Sequence, residues 1–139
     1  MRTVIAFALL TSPAAAWEAV PGPICLLTHE EPGAAVRVSY DPTGPIYAIT
    51  VTGAEPWADS TLFGIRFTGP AGLTITTNRH QIDGASLTVS DSGFGNVLNG
   101  LQYNATATAM LGGQSVTVSL DGAAPEVKKF RACTQAPVA

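Results

Sequence analysis

The feature that most constrains the fold of this chain is a series of short strand-like segments, each bounded by turn-forming residues. In segment 35–40, for example, Val36 and Val38 alternate with Arg37 and Ser39, which is typical of a strand with one buried face. Strand-like segments lie at 24–28, 35–40, 46–52, 62–67, 73–77, 86–90, 104–111 and 115–120. Many short strands separated by turns predict an all-β fold, a single antiparallel β-sandwich or barrel.

Two pairs of neighbouring segments have the composition of β-hairpins. Residues 35–52 contain the turn sequence DPTGP, and residues 104–120 contain the glycine pair Gly112 and Gly113. The polar segment 78–84 (NRHQIDG) stands between two strand segments and is predicted to be a loop.

One or two short helices are expected beside the strands. Around residues 94–101 the apolar residues follow helical spacing, and Asp91 or Ser92 is a candidate N-cap. Around residues 125–132, Pro125 suits the first position of a second helix, which would carry the last cysteine to its partner. The apolar residues at helical spacing in the first segment are Phe94, Val97, Leu98 and Leu101.

The N-terminus has the order of a secretory signal peptide, which we assign to residues 1–16. A positive charge at Arg2 precedes an apolar run at 4–10, and small residues lead up to a predicted cleavage site after Ala16. The apolar run is shorter than the roughly 20 residues of a transmembrane helix, and no cysteine follows the cut, so we expect neither a membrane span nor a lipid anchor. A periplasmic or secreted domain of residues 17–139 is predicted.

The chain has two cysteines, Cys25 and Cys133, near its two ends. In an oxidising compartment such a pair normally forms a disulfide. The alternative is a redox or metal-binding pair, but the sequence has no C-x-x-C motif and no histidine at zinc-ligand spacing. We therefore expect a structural disulfide, and neither a metal nor a cofactor.

The charge balance bears on the class of partner. Only 12% of the residues are charged and the formal net charge is −3. Because nucleic-acid binding needs clustered Lys and Arg, this composition argues against a nucleic-acid partner.

Five side chains are candidate binding residues: Trp57, Arg79, His80, Asp83 and Phe94. His80 and Asp83 suggest an acid–base pair and Arg79 an anion contact, whereas the simpler interpretation is a polar loop. Trp57 and Phe94 lie in predicted loops, where exposed aromatic residues anchor partners, but burial in the core is the favoured interpretation for both.

The run His29-Glu30-Glu31 places three residues of metal-ligand type in sequence. A contiguous run does not supply the spaced ligands of a zinc site or the oxygen cage of a hard metal. We interpret these residues as a solvated loop.

Several segments carry a resemblance to known proteins: Trp17, Cys25, Gly69–His80, Asp91–Leu101 and Ser119–Pro137. The chain resembles a group of small exported alphaproteobacterial proteins without an established activity, some of which are labelled excinuclease subunits. That label does not suit 139 residues without a nucleotide-binding loop. The C-terminal segment is also similar to proteins of the invasion-associated locus B type, which implies a β-rich periplasmic or secreted protein. Neither resemblance implies catalytic residues.

These observations predict a non-enzymatic exported β-domain that binds a macromolecule, such as an envelope or secreted protein, or a ligand. One alternative is an inhibitor of a secreted hydrolase, a protease or lysozyme, acting through a rigid loop at 54–60 or 78–84. A second alternative is a small hydrolase-type enzyme that uses His80 and Asp83.

Overall fold

The computed structural model of the chain describes residues 16–136, in which ten β-strands and two α-helices form. The strands are β1 (Ala16–Val20), β2 (Cys25–Glu31), β3 (Ala34–Asp41), β4 (Ile46–Gly53), β5 (Phe63–Thr68), β6 (Leu73–Thr77), β7 (His80–Asp83), β8 (Ser86–Asp91), β9 (Thr106–Leu111) and β10 (Gln114–Ser119). The helices are α1 (Gly95–Gln102) and α2 (Ala123–Gln135).

The strands of residues 16–136 form two antiparallel sheets. The larger sheet has the strand order β1-β2-β3-β4-β8-β7, and the smaller sheet has the order β10-β9-β5-β6. Alternate side chains of each strand point into the space between the sheets, where the apolar core forms. The predicted β-sandwich with short helices is confirmed, and so are the two hairpins, β3–β4 and β9–β10.

Helix α2 covers β1 and β2 of the larger sheet. Its side chains Val127 and Phe130 are fully buried, as expected for the apolar face of an amphipathic helix. Cys25 at the start of β2 forms a disulfide with Cys133 on α2, with Cα atoms 6.0 Å apart. This crosslink, predicted from the sequence, ties the C-terminal helix to the larger sheet.

The predicted loop at 78–84 is wrong, because most of it forms strand β7. His80 pairs with Val89 and Asp83 with Ser86, so β7 is the edge strand of the larger sheet. The strand escaped prediction because its four residues, HQID, are largely polar and too few to show a clear alternation. Strand β1 was also not predicted, because its five residues, AWEAV, are too few to show a clear alternation.

The helix ends differ from the prediction. Neither Asp91 nor Ser92 caps α1, whose N-cap is Phe94 without a side-chain hydrogen bond. Instead, the Asp91 carboxylate accepts the backbone N–H of Ser92 at 2.6 Å. Helix α2 begins two residues earlier than expected, because Gly122 adopts the left-handed conformation (φ 79°) that glycine accepts readily and turns the chain into the helix. Pro125 therefore lies within the first turn, where a missing N–H costs nothing.

The predicted signal peptide lies outside the described residues, apart from Ala16, which is the first residue of β1. Between residues 16 and 136, neither helix is long and apolar enough to cross a membrane.

Candidate functional site

A cleft of about 390 Å³ opens between the two sheets. It is lined by residues of β4 and β8 from the larger sheet, by residues of β5 and β6 from the smaller sheet, and by the chain that enters α1. The cleft lies where the larger sheet narrows: β7 pairs with β8 only as far as Val89, so Ser90 and Asp91 have no β7 residue beside them. The early end of this pairing places the last residues of β8 at the mouth of the cleft.

The floor of the cleft is apolar because inward-facing strand residues and the start of α1 form it. Phe94 is 4% exposed, which confirms the favoured interpretation that this aromatic residue is buried, yet its ring also lines the cleft. Ile75 and Val89 are only partly buried, since no side chain of the opposite sheet covers them fully. The apolar lining residues are Ile49, Phe63, Ile65, Ile75, Val89, Phe94 and Val97.

Polar groups gather at the mouth. The Arg79 Nη2 group donates a hydrogen bond to the Asp91 Oδ2 atom at 3.4 Å, and the two side chains are 71% and 46% exposed. This contact is long for a charge-assisted hydrogen bond, which is ordinarily about 2.7–2.9 Å, and it uses one donor of a guanidinium group that has several. Thr77 and Asn96 also line the cleft.

The first turn of α1 lies at the same mouth, where Gly95, Asn96 and Val97 line the cleft. No side chain caps this turn, and it contains no acidic residue. The backbone N–H groups at a helix start have no partner within the helix and carry a partial positive charge. The electrostatic environment of this wall of the cleft therefore favours a negative group.

The His80 ring joins β7 to the loop between β4 and β5 instead of forming an acid–base pair with Asp83. Its Nε2–H group donates to the Asp59 Oδ1 atom at 3.1 Å and to the Ser60 carbonyl oxygen at 3.0 Å. Because a carbonyl oxygen only accepts, Nε2 carries the hydrogen, while Nδ1 is buried without a partner among the described residues. Asp83 is exposed at the other end of β7, and its odd spacing from His80 places it on the opposite face of the strand.

Trp57 packs against the floor of the cleft through its contact with Phe63. It is 6% exposed, which again confirms the favoured prediction of burial, and its indole N–H donates to the Val51 carbonyl oxygen at 3.3 Å. Its ring meets Phe63 edge to face, with centroids 6.4 Å apart, and Phe63 in turn forms part of the cleft floor.

Of the five candidate residues predicted from sequence, the structure brings Arg79 and Phe94 to the cleft. His80 and Trp57 contact the floor residue Phe63, and Asp83 lies apart. Sequence reasoning missed Asp91 and the aliphatic floor. The sequence positions of Arg79 and Asp91 do not indicate that the two side chains are close, because their proximity follows from the pairing of β7 with β8.

The run His29-Glu30-Glu31 is part of β2, so its interpretation as a solvated loop is wrong. His29 is 2% exposed, and its Nε2–H group donates to Glu31 Oε1 at 2.8 Å. The same oxygen accepts the backbone N–H of Ser119 at 2.9 Å, and the Trp17 indole N–H donates to the Ser119 carbonyl oxygen at 2.8 Å. These contacts join the end of β10 to β1 and β2.

Two carboxyl groups have shifted pKa values. Burial raises the pKa of the Glu31 carboxyl, but the hydrogen bonds from His29 and Ser119 and the attraction to the imidazole outweigh burial, and the net shift is downward. The pKa of Glu126 is lowered by the hydrogen bond from the Ala19 backbone N–H and by the contact with Lys129. Both carboxylates hold parts of the fold together and lie outside the cleft.

Within residues 16–136, no group of three or more His, Cys, Asp or Glu side chains is arranged to hold a metal ion. No family model matches the chain, and no curated protein or solved structure is significantly similar to it. The fold and the site define the class: a disulfide-linked antiparallel β-sandwich with a cleft between its sheets that has an apolar floor and a polar mouth.

Proposed function

We propose that the protein is an exported, non-enzymatic domain whose cleft binds the apolar part of a small ligand. The observation that carries this proposal is the cleft itself, at about 390 Å³. Ligand sites are concave, mostly apolar cavities of about 300–1,000 Å³ with a few polar groups that fix the orientation of the ligand. An aliphatic and aromatic floor below a polar mouth fits that description.

The rigidity of the floor supports the same function. Phe63 is 2% exposed and lies between the cleft and the Trp57 ring, and His80 packs against it from the edge strand. A preformed cavity loses little conformational entropy when a ligand enters. The floor is thus suited to binding without a large rearrangement.

The polar groups in the cleft and beside its floor favour binding over catalysis. Arg79 and Asp91 are paired with each other in an exposed position. The His80 Nε2 group is engaged with the loop and its Nδ1 atom is buried, so neither nitrogen is placed to move a substrate proton.

Export is supported by the Cys25–Cys133 disulfide, which spans 108 residues of sequence. Such bonds persist in oxidising compartments such as the periplasm or the extracellular space. The charge, apolar run and small residues of segment 1–16 support the same localisation.

A titration with 1-octanol, followed by methyl NMR of residues 17–139, tests the binding function. We expect saturable shifts at the δ1 methyls of the floor isoleucines Ile49, Ile65 and Ile75. Val89→Trp fills the cleft and should abolish the shifts, whereas Ser90→Trp, its exposed neighbour on the opposite face of β8, should retain them. The absence of saturable shifts in the wild type, or their persistence in a folded Val89→Trp protein, would overturn the proposal.

A second candidate function, inhibition of a secreted hydrolase, is favoured by the loop between β4 and β5. Gln114 accepts the Ala58 backbone N–H at 2.6 Å and donates to the Pro56 carbonyl oxygen at 2.9 Å, and His80 holds Asp59. The loop is therefore exposed yet fixed, and Leu62 is 55% exposed at its end. Assays with trypsin and lysozyme test this function, and Gln114→Ala should weaken any inhibition by freeing the loop.

A further inference from the structure

The mouth of the cleft carries a recognition element for the polar end of the ligand. We propose that the cleft selects a small amphipathic carboxylate, with its apolar chain between the sheets and its carboxylate bound by Arg79. This inference rests on the proposed function and adds the chemical class of the ligand to it.

Arg79 is the one cation among the described residues that line the cleft. A guanidinium group presents its donors in a planar fork that matches the two oxygens of a carboxylate. Since the Arg79 side chain is 71% exposed and its one ion-pair contact, with Asp91, is long, an incoming anion can reach the fork from solvent. The cation and the apolar floor together predict a ligand with one charged end and one apolar end.

Asp91 acts as the internal competitor for Arg79. Its Oδ2 atom is 3.4 Å from Arg79 Nη2, and such exposed, long ion pairs contribute little to stability. The Asp91 Oδ1 atom accepts the Ser92 backbone N–H at 2.6 Å, so the carboxylate stays in place when Arg79 turns to a ligand. Asp91 therefore keeps Arg79 near the mouth in the free protein and weakens the binding of an anionic ligand by competition.

The start of α1 adds to the same preference. Gly95 and Asn96 of its first turn line the cleft, and the turn has neither a side-chain cap nor an acidic residue. The positive end of the helix dipole supports a negative charge placed beside Arg79, although the recognition depends on the cavity and the guanidinium group.

Octanoate and 1-octanol share an apolar chain and differ in the polar end, so their comparison isolates the charge. We expect wild-type protein to bind octanoate more tightly than 1-octanol at neutral pH. Arg79→Gln should weaken octanoate binding roughly three- to tenfold and leave 1-octanol binding unchanged, as expected for a partly exposed charge-assisted contact. Arg66→Gln, an exposed arginine on the outward face of β5, is the matched control and should change neither affinity.

Asp91→Asn should change the octanoate affinity in the direction opposite to Arg79→Gln. A general loss of structure would not raise the affinity. Removal of the competing charge should tighten octanoate binding about two- to fivefold without changing the affinity for 1-octanol. Added salt should weaken octanoate binding to the wild type and leave 1-octanol binding unaffected.

The outcomes separate this inference from the proposed function. If 1-octanol binds in the cleft but octanoate affinity is unchanged in Arg79→Gln, or falls in Asp91→Asn, the carboxylate preference is wrong and the cleft remains a binding site. If neither compound shifts the floor methyls, the binding function and the carboxylate preference are both wrong.

Discussion

The indole ring of Trp17 lies flat on the imidazole ring of His29, with ring centroids 4.4 Å apart and planes inclined by 8°. The stack is at the junction where the end of β10 meets β1 and β2, and the indole N–H donates to the Ser119 carbonyl oxygen. A large buried aromatic residue near the beginning of the domain thus fastens the first strand to the last one. The contact makes β1 an integral part of the sandwich.

Truncation of this contact should destabilise the domain strongly. Trp17→Ala removes a side chain that is 5% exposed, and we expect the free energy of unfolding to fall by about 3–5 kcal/mol. Trp17→Phe keeps an aromatic ring against His29 but loses the N–H donor, so its cost should be smaller. Urea denaturation measures both values, and equal losses for the two variants would contradict a stabilising role for the stack.

The stability of the domain should fall in acid because the pKa of the Glu31 carboxyl is lower in the folded protein than its ordinary value of 4.5. A carboxyl with a depressed folded pKa contributes stability above its unfolded pKa and loses that contribution as the pH falls through the folded pKa. We expect Glu31→Gln to reduce stability at neutral pH and to flatten the loss of stability below pH 4.5.

Thermal unfolding between neutral pH and strongly acidic pH measures this effect. Glu30→Gln is the matched control, because Glu30 lies on the outward face of the same strand and should keep the wild-type pH dependence. Part of the acid loss should persist in Glu31→Gln, since the pKa of Glu126 is also lowered by its contacts with Ala19 and Lys129. An unchanged acid profile in Glu31→Gln would show that this carboxyl does not link folding to pH.

Most strands could be predicted because their local pattern agrees with their place in the sheets. Segment 35–40 alternates and became part of β3, which pairs with β4 across the predicted turn, with Val38 opposite Ile49. The buried position of His29 was also available from the pattern, since Cys25, Leu27 and His29 occupy one face of β2. Because the run His29-Glu30-Glu31 is polar, the continuation of the buried strand face to His29 was not recognised.

The cleft could not be predicted because it depends on how far two strands pair. Ile49, Ile65 and Val89 have the pattern of ordinary core residues, and nothing in the sequence shows that the space between them is unfilled. Arg79 and Phe94 were identified by residue type, but their common location depends on where β7 begins and where β8 ends. Periodicity indicates which face is buried, whereas a cavity depends on the distance between faces.

The close approach of α1 to the smaller sheet requires glycine at position 100. A Cβ atom at Gly100 would lie well inside contact distance of the Phe67 ring, which is itself 2% exposed. Gly100→Ala should therefore lower the free energy of unfolding by about 1–3 kcal/mol, despite the better helix propensity of alanine.

Gly95→Ala is the matched control for this substitution, because it places the same methyl group in the same helix. A Cβ at Gly95 meets no described atom within 4 Å, so this variant should be as stable as the wild type or slightly more stable. Chemical denaturation distinguishes the two variants, and comparable stability of Gly100→Ala and the wild type would show that Phe67 moves aside without cost.

The disulfide should contribute mainly by restricting the unfolded chain, because it closes a loop of 108 residues between Cys25 and Cys133. The entropic estimate for a loop of this length is roughly 4–5 kcal/mol. We expect the double variant Cys25→Ser/Cys133→Ser to lose stability of this order, and reduction of the wild type to raise its intact mass by about 2 Da through the addition of hydrogen to each sulfur.

Reduced wild-type protein is the control for the serine side chains, since both proteins lack the crosslink and should unfold at similar denaturant concentrations. An intact mass that does not change on reduction would contradict the crosslink, and a double variant as stable as the oxidised protein would contradict its contribution to folding.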